Sequence, residues 1–166
     1  VDVRSFSGEL IVHHDPYVES VRFIDWIAEY NHKFLILNVK EEGLETRLLD
    51  LMREYGIEDF FFLDQSFPFL LKTSSAGESR CAVRVSEFES IETALSLRGM
   101  VEWVWLDCFT KFPLERWQYE ELRNSGFKIC LVSPELQGRT GDTEIFEMAE
   151  TMATRGITID AVCTTS

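Results

Sequence analysis

The segment VEWVWLDCFTKFPLERWQYEELRNSGFKICLVS (101–133) decides the fold class. It opens on one apolar run, VEWVWLD (101–107), and closes on another, FKICLVS (127–133). Between them the pattern near 113–125 reads as a helix, and Gly126 stands just past it, where a helix-ending glycine belongs. Strand, helix, glycine and strand in that order make one unit of a parallel sheet covered by helices.

The alternation continues in both directions. Upstream, VDVR (1–4) reads as a strand, with ELIVHH (9–14) as a hairpin-like extra. KFLILNVK (33–40) is a short apolar run with polar ends. LETRLLDLMREYG (44–56) carries Leu44, Leu48, Leu49, Leu51 and Met52 at helical spacing, with Gly56 as a stop. DFFFLD (59–64) is a strand followed by a short helical turn, QSFPFLL (65–71), and CAVRV (81–85) is another strand. SEFESIETALSLRG (86–99) reads as a helix whose Ser86 and Glu89 form a capping-box pattern. Downstream lie a helix near 142–155, Gly156 as its stop, and the strand ITIDAVCTT (157–165).

Seven main strands alternating with helices predict an α/β chain, a (β/α)8 TIM-type barrel lacking its first strand–helix unit. An open parallel α/β sheet is the alternative, but neither GxGxxG nor GxxxxGK[ST] supplies its phosphate loop. No linker, repeat or low-complexity tract divides the chain, so residues 1–166 are read as one barrel domain, N-terminally incomplete.

The 166 residues are 45% hydrophobic, with 13 phenylalanines, which excludes a disordered chain. The formal net charge of −13 repels nucleic acid and anionic membrane surfaces. Cys81, Cys108, Cys130 and Cys163 include no CxxC and no zinc spacing, so they are read as buried thiols suited to a reducing cytoplasm. No apolar stretch approaches transmembrane length, and no membrane insertion is expected. The chain begins on Val1 without an initiator methionine, so Val1 is read as not the natural start.

Chemistry collects at the strand ends. Asp2 and Arg4, His14 and Asp15, Asn38 and Lys40, Asp64, Arg84, Asp107, Ser133 and Glu135 each close or border an apolar run. In a parallel barrel those ends converge on one face, the place where barrel active sites are built. Residues two apart share a strand face, so Asn38 points with Lys40 and Asp2 with Arg4. Asp64, Asp107 and Ser133 could equally be loop starters or helix caps, and Glu19, Asp25 and the glutamates at 144, 147 and 150 read as solvated helix faces. Lys40 closes an apolar strand and needs an anionic partner or a phosphate nearby.

These residues carry a resemblance to the glycerophosphodiester phosphodiesterase family, barrels related to phosphatidylinositol-specific phospholipase C. VDVRSFSGELIVHHD is similar to the family's second strand and following His–Asp segment, with Asp2, the turn glycine Gly8, His14 and Asp15 in place. LILNVK resembles a family strand ending in a lysine, here Lys40; Ser66 and Phe67 match a Ser–Phe pair, and ITIDAVCTT matches the closing strand. The resemblance implies metal-assisted hydrolysis of a phosphodiester to a monoester and an alcohol. His14 would be one acid/base group and Asp15 would orient the site, with His13 on the opposite strand face as support. Asp2 and Asn38 would hold Mg²⁺ or Ca²⁺, and Lys40 and Arg84 would bind the phosphate. Arg4, Asp64, Asp107 and Glu135 would line the rest of the cleft.

The family's His-Arg-Gly motif and a glutamate fall before Val1, and Asn38 stands where the family has a glutamate. The resemblance therefore implies a catalytically incomplete chain with a weak metal site. An absent first strand would also leave the edges of VDVR and of the last strand open to homodimer formation. Two other functions compete with the phosphodiesterase: a non-catalytic barrel binding an anionic or sugar ligand, and a glycosidase-like hydrolase using Asp64, Asp107 and Glu135.

Overall fold

Asp2–Phe6 (β1) turns back at Ser7 and Gly8 into Glu9–Val12 (β2). Both turn residues have positive φ, 50° and 87°, the geometry of a two-residue hairpin whose twist matches its strands. The computed structural model describes residues 1–139 and 142–164, and the chain falls into two compact units, Val1–Cys81 and Ala82–Ser166.

In the first unit the hairpin is followed by Phe23–Ala28 (α1), Leu35–Val39 (β3), Glu45–Glu54 (α2), Phe60–Leu63 (β4) and Phe67–Ser75 (α3). The sheet order is β2-β1-β3-β4, with β1 antiparallel to β2 and parallel to β3, and β3 parallel to β4. Leu35, Leu37 and Val39 are buried while Ile36, Asn38 and Lys40 are half-buried, so β3 separates an apolar face from a mixed one. Leu44, Leu48 and Met52 recur at one-turn spacing and are buried, which fixes the orientation of α2. The helix stops where expected, and Gly56 takes a φ of 66° that a side chain would resist. Phe60, Phe61, Phe62 and Leu63 are all buried, the continuous apolar run of a strand covered on both faces.

The start of β1 is level with the end of β3: Asp2 pairs with Asn38 and Val3 with Val39. The hairpin therefore extends past the C-terminal end of β3. The Ser5 hydroxyl and N–H both donate to the Glu41 carboxylate there, and Arg47 of α2 donates to the Gly8 carbonyl.

The second unit runs Ala82–Val85 (β5), Ile91–Ser96 (α4), Trp103–Leu106 (β6), Arg116–Asn124 (α5), Lys128–Val132 (β7), a 3-10 turn at Pro134–Gln137, Asp142–Arg155 (α6) and Ala161–Cys163 (β8). All its strand pairs are parallel, in the order β5-β6-β7-β8. The chain is thus α/β, with one mixed and one parallel sheet.

Two expectations are corrected. The helix expected at 86–99 begins only at Ile91, because the Ser86 hydroxyl donates to Glu89 and accepts the Phe88 N–H at 3.1 Å. Those bonds close a turn instead of opening a helix. The open edge expected at residues 1–4 is filled by β2 on one side and β3 on the other. The outer side of β2 takes a bridge from Ile11 to Arg22 and the bond from the Val12 N–H to the Val21 carbonyl, 2.9 Å.

Cys81, Cys108 and Cys130 are buried, whereas Cys163, expected in a buried strand, is half-exposed. Burial, with the charges of Glu87 and Asp107 nearby, pushes the Cys108 thiol up to about 12, and burial does the same to Cys130. Among the described residues, no helix is long and apolar enough to cross a membrane.

Candidate functional site

In the first unit the register brings Asp2 and Asn38 side by side on β1 and β3. Asn38 Nδ2 donates to Asp2 Oδ1 at 2.6 Å. Lys40, two residues along the same face, donates from Nζ to Asp64 Oδ2 at 2.8 Å and lies 3.8 Å from Asp2 Oδ1. Asp64 follows the last residue of β4 with a φ of 60°, a left-handed conformation that aspartate tolerates better than most residues. Asp2, Asn38, Lys40 and Asp64 form one cluster, with the Lys40 side chain only 16% exposed. The Asn38 oxygen, Oδ1, is buried without a hydrogen-bond partner.

The histidines arrive on the returning arm of the hairpin. The His13 N–H donates to the Asp2 carbonyl at 3.1 Å, which continues the β1–β2 ladder by one residue. Directly opposed residues of an antiparallel pair share a face, so His13 stands on the Asp2 side of the sheet. His13 was expected on the strand face away from the site; the register puts it on the Asp2 face instead. His14 lies in the turn beyond, its side chain 68% exposed. His14 Nδ1 is 2.9 Å from Asp15 Oδ1, and this hydrogen bond holds the Asp15 carboxyl below its usual range. Arg4 Nε donates to the His14 carbonyl at 2.7 Å, which ties the turn to β1. His13 Nδ1 accepts the Asp15 N–H at 2.9 Å; its 3.1 Å contact with the Asp15 carbonyl requires the other tautomer, so the two bonds exclude each other.

Arg84, Asp107 and Glu135 belong to the second unit, at the C-terminal ends of its strands and in the turn after β7. Asp107 is 2% exposed, 3.3 Å from Arg84 Nε, and accepts a 2.5 Å bond from Gln137. Arg84, expected to bind phosphate, is thus ion-paired. Glu135 accepts from the Ser133 hydroxyl and, at 2.6 Å, from the Thr164 hydroxyl. Both carboxylates of the glycosidase-like alternative in this unit are therefore already engaged.

Sequence reading passed over Glu87. Its carboxylate accepts the N–H groups of Phe109, Thr110 and Lys111 at 3.2, 2.6 and 2.7 Å, and the Thr110 hydroxyl at 2.9 Å. It was also silent on Gln137 and Glu41, whose partners lie 30 and 36 residues away in sequence. Only the polar residues directly following CAVRV could have drawn attention to Glu87.

The residues do not fit the divalent ion that the resemblance implies. Calcium and magnesium need several oxygen ligands, but Asn38 presents an N–H donor to Asp2 and the Lys40 ammonium already stands among the carboxylates. Among the described residues, no group of three or more His, Cys, Asp or Glu is placed to hold a metal ion. No family model, curated protein or solved structure matches the chain.

Proposed function

We propose that the first unit's strand ends carry a phosphodiester hydrolase site, on a (β/α)8-type barrel, acting on a glycerophosphodiester or a related sugar-phosphate diester. The observation that carries this reading is the coupling of Arg4, His14 and Asp15: the carbonyl of His14 pins the guanidinium, and Asp15 holds the ring. With Nε engaged, the terminal nitrogens of Arg4 remain as a fork suited to two phosphate oxygens. With Nδ1 donating to Asp15, His14 Nε2 is the basic nitrogen. It takes the proton of a water attacking phosphorus and returns it to the departing alcohol oxygen, which leaves a monoester and an alcohol. Lys40, held between Asp64 and Asp2, keeps those two carboxylates from repelling the anionic substrate.

Assay against glycerophosphocholine and bis(p-nitrophenyl) phosphate tests the reading. His14→Ala should lower kcat by about 10² to 10⁴, the range for losing a positioned acid/base group. Arg4→Met should act mainly on KM. Turnover that is absent, or indifferent to His14, overturns the proposal. The engagement of Asp2 by both Asn38 and Lys40 favours a second reading, a non-catalytic site for an anionic or sugar ligand, which predicts saturable binding of the diester without hydrolysis.

A further inference from the structure

We infer that Lys40 takes the place of a divalent cation at the Asp2–Asn38–Asp64 cluster, and that its ammonium group keeps Mg²⁺ and Ca²⁺ out. The inference concerns ion binding and stands whether or not the cluster turns over a phosphodiester. Two carboxylates that close together require a counter-charge, and the chain supplies one itself: Lys40 Nζ lies 2.8 Å from Asp64 and 3.8 Å from Asp2. The amide of Asn38 gives the second, independent sign. An asparagine that ligates a metal turns its oxygen toward the ion and the neighbouring carboxylate. Asn38 turns its nitrogen there instead, at 2.6 Å from Asp2 Oδ1, and its oxygen is left buried and unpartnered. A dication entering this space would break that bond and meet the ammonium at a few ångströms, where like charges repel strongly. With the lysine removed, an amide rotation would present Asn38 Oδ1 together with Asp2 and Asp64, three oxygen donors of the kind hard cations take.

The test is titration calorimetry with Mg²⁺ and Ca²⁺ on the wild-type chain, on Lys40→Met, which keeps much of the side-chain volume, and on Lys40→Ala. The wild type should show no saturable binding up to about 10 mM, beyond the weakest range of ordinary protein calcium sites. At least one variant should gain saturable binding, at least tenfold tighter than any residual wild-type affinity. Thermal melts serve as the second readout, because removing Lys40 takes away the ammonium that Asp2 and Asp64 share. The metal should raise the Tm of the variants and not of the wild type, and a variant that is unfolded alone should regain its fold when the metal is added. Saturable binding to the wild type overturns the inference. So does a pair of variants that neither bind the ions nor respond to them in the melt, since Lys40 is then not what excludes a metal.

Discussion

The first unit's strand-end carboxylates share a lysine, whereas those of the second are saturated by the fold around them. Asp2 and Asp64 divide one ammonium, and Asp2 keeps a third of its side-chain surface exposed, 34%. Asp107 is 2% exposed and fixed between Arg84 and Gln137. Glu87 accepts four bonds from the loop that follows β6. Side-chain partners at a half-exposed site can be exchanged for a ligand or for water. Backbone N–H partners and buried partners cannot, because moving them unmakes the local fold. The same residue types at the ends of parallel strands thus serve two ends, exchangeable charge in the first unit and loop anchoring in the second.

The largest test of that contrast is at Asp107. Asp107→Ala strips a buried acceptor from Arg84 and Gln137 at once, and should cost about 2–4 kcal/mol in urea unfolding. Asp2→Asn, at the more exposed site, should cost about 1 kcal/mol or less, the range of exposed ion pairs. Equal losses at the two positions would break the comparison.

The elements that were legible in the sequence are those whose signal is local. FFFL, WVWL and ICLV are strands because continuous apolar runs suit strands covered on both faces, LILNV is one because its buried residues alternate, and Gly56, Gly126 and Gly156 mark helix ends because each takes a positive φ. The signal failed where a partner decides. Ser86 and Glu89 fit a helix start equally well on paper, but they bond each other and the Phe88 N–H. Glu115 and Gln118 do form a capping box, at a helix whose cap is not one of the favoured small residues. Within the site, Asn38, Lys40 and Asp64 could be picked out at or just past strand C-termini, whereas Asp2, expected at such an end, is the first residue of β1 and reaches them only through its pairing with β3. Their mutual bonds could not, because the register between β1 and β3 joins residues 36 positions apart through packing. The face of His13 was illegible for a related reason: alternation along ELIVHH gives two faces but not which one Asp2 occupies.

The next test is acid. Burial would raise the Glu87 carboxyl, but bonds from the Thr110, Glu87 and Lys111 N–H groups and the Thr110 hydroxyl bring it down to about 2, from an ordinary 4.5. A carboxyl lowered by folding stabilises the native state fully above its ordinary value, and that contribution fades as pH falls from about 4.5 through about 2. Solvent screening of a partly exposed group brings the gain to on the order of 1–2 kcal/mol. Glu87→Gln should lose that much at pH 7 and should unfold with a shallower dependence on pH between about 4.5 and 2. An unchanged acid limb in this variant would mean that the loop after β6 is not held by the Glu87 charge.

The smallest effect is expected at Ser5, where the hairpin overhang meets Glu41. The Ser5 hydroxyl donates to Glu41 Oε1, while the Ser5 N–H donates to the other oxygen, Oε2, at 2.9 Å. Ser5→Ala removes the first bond and keeps the second, since the backbone donor does not depend on the side chain. Ser5 and Glu41 are both half-buried, so water can replace the lost donor and no unsatisfied buried acceptor remains. The cost should be about 0.5–1 kcal/mol, read as a small shift of the urea midpoint with an unchanged slope. The comparison between the units sharpens if this loss is smaller than that of Glu87→Gln. If Ser5→Ala costs more, the first unit's side-chain contacts are as fixed as the second unit's loop anchors, and its strand ends lose their claim to be the exchangeable part of the molecule.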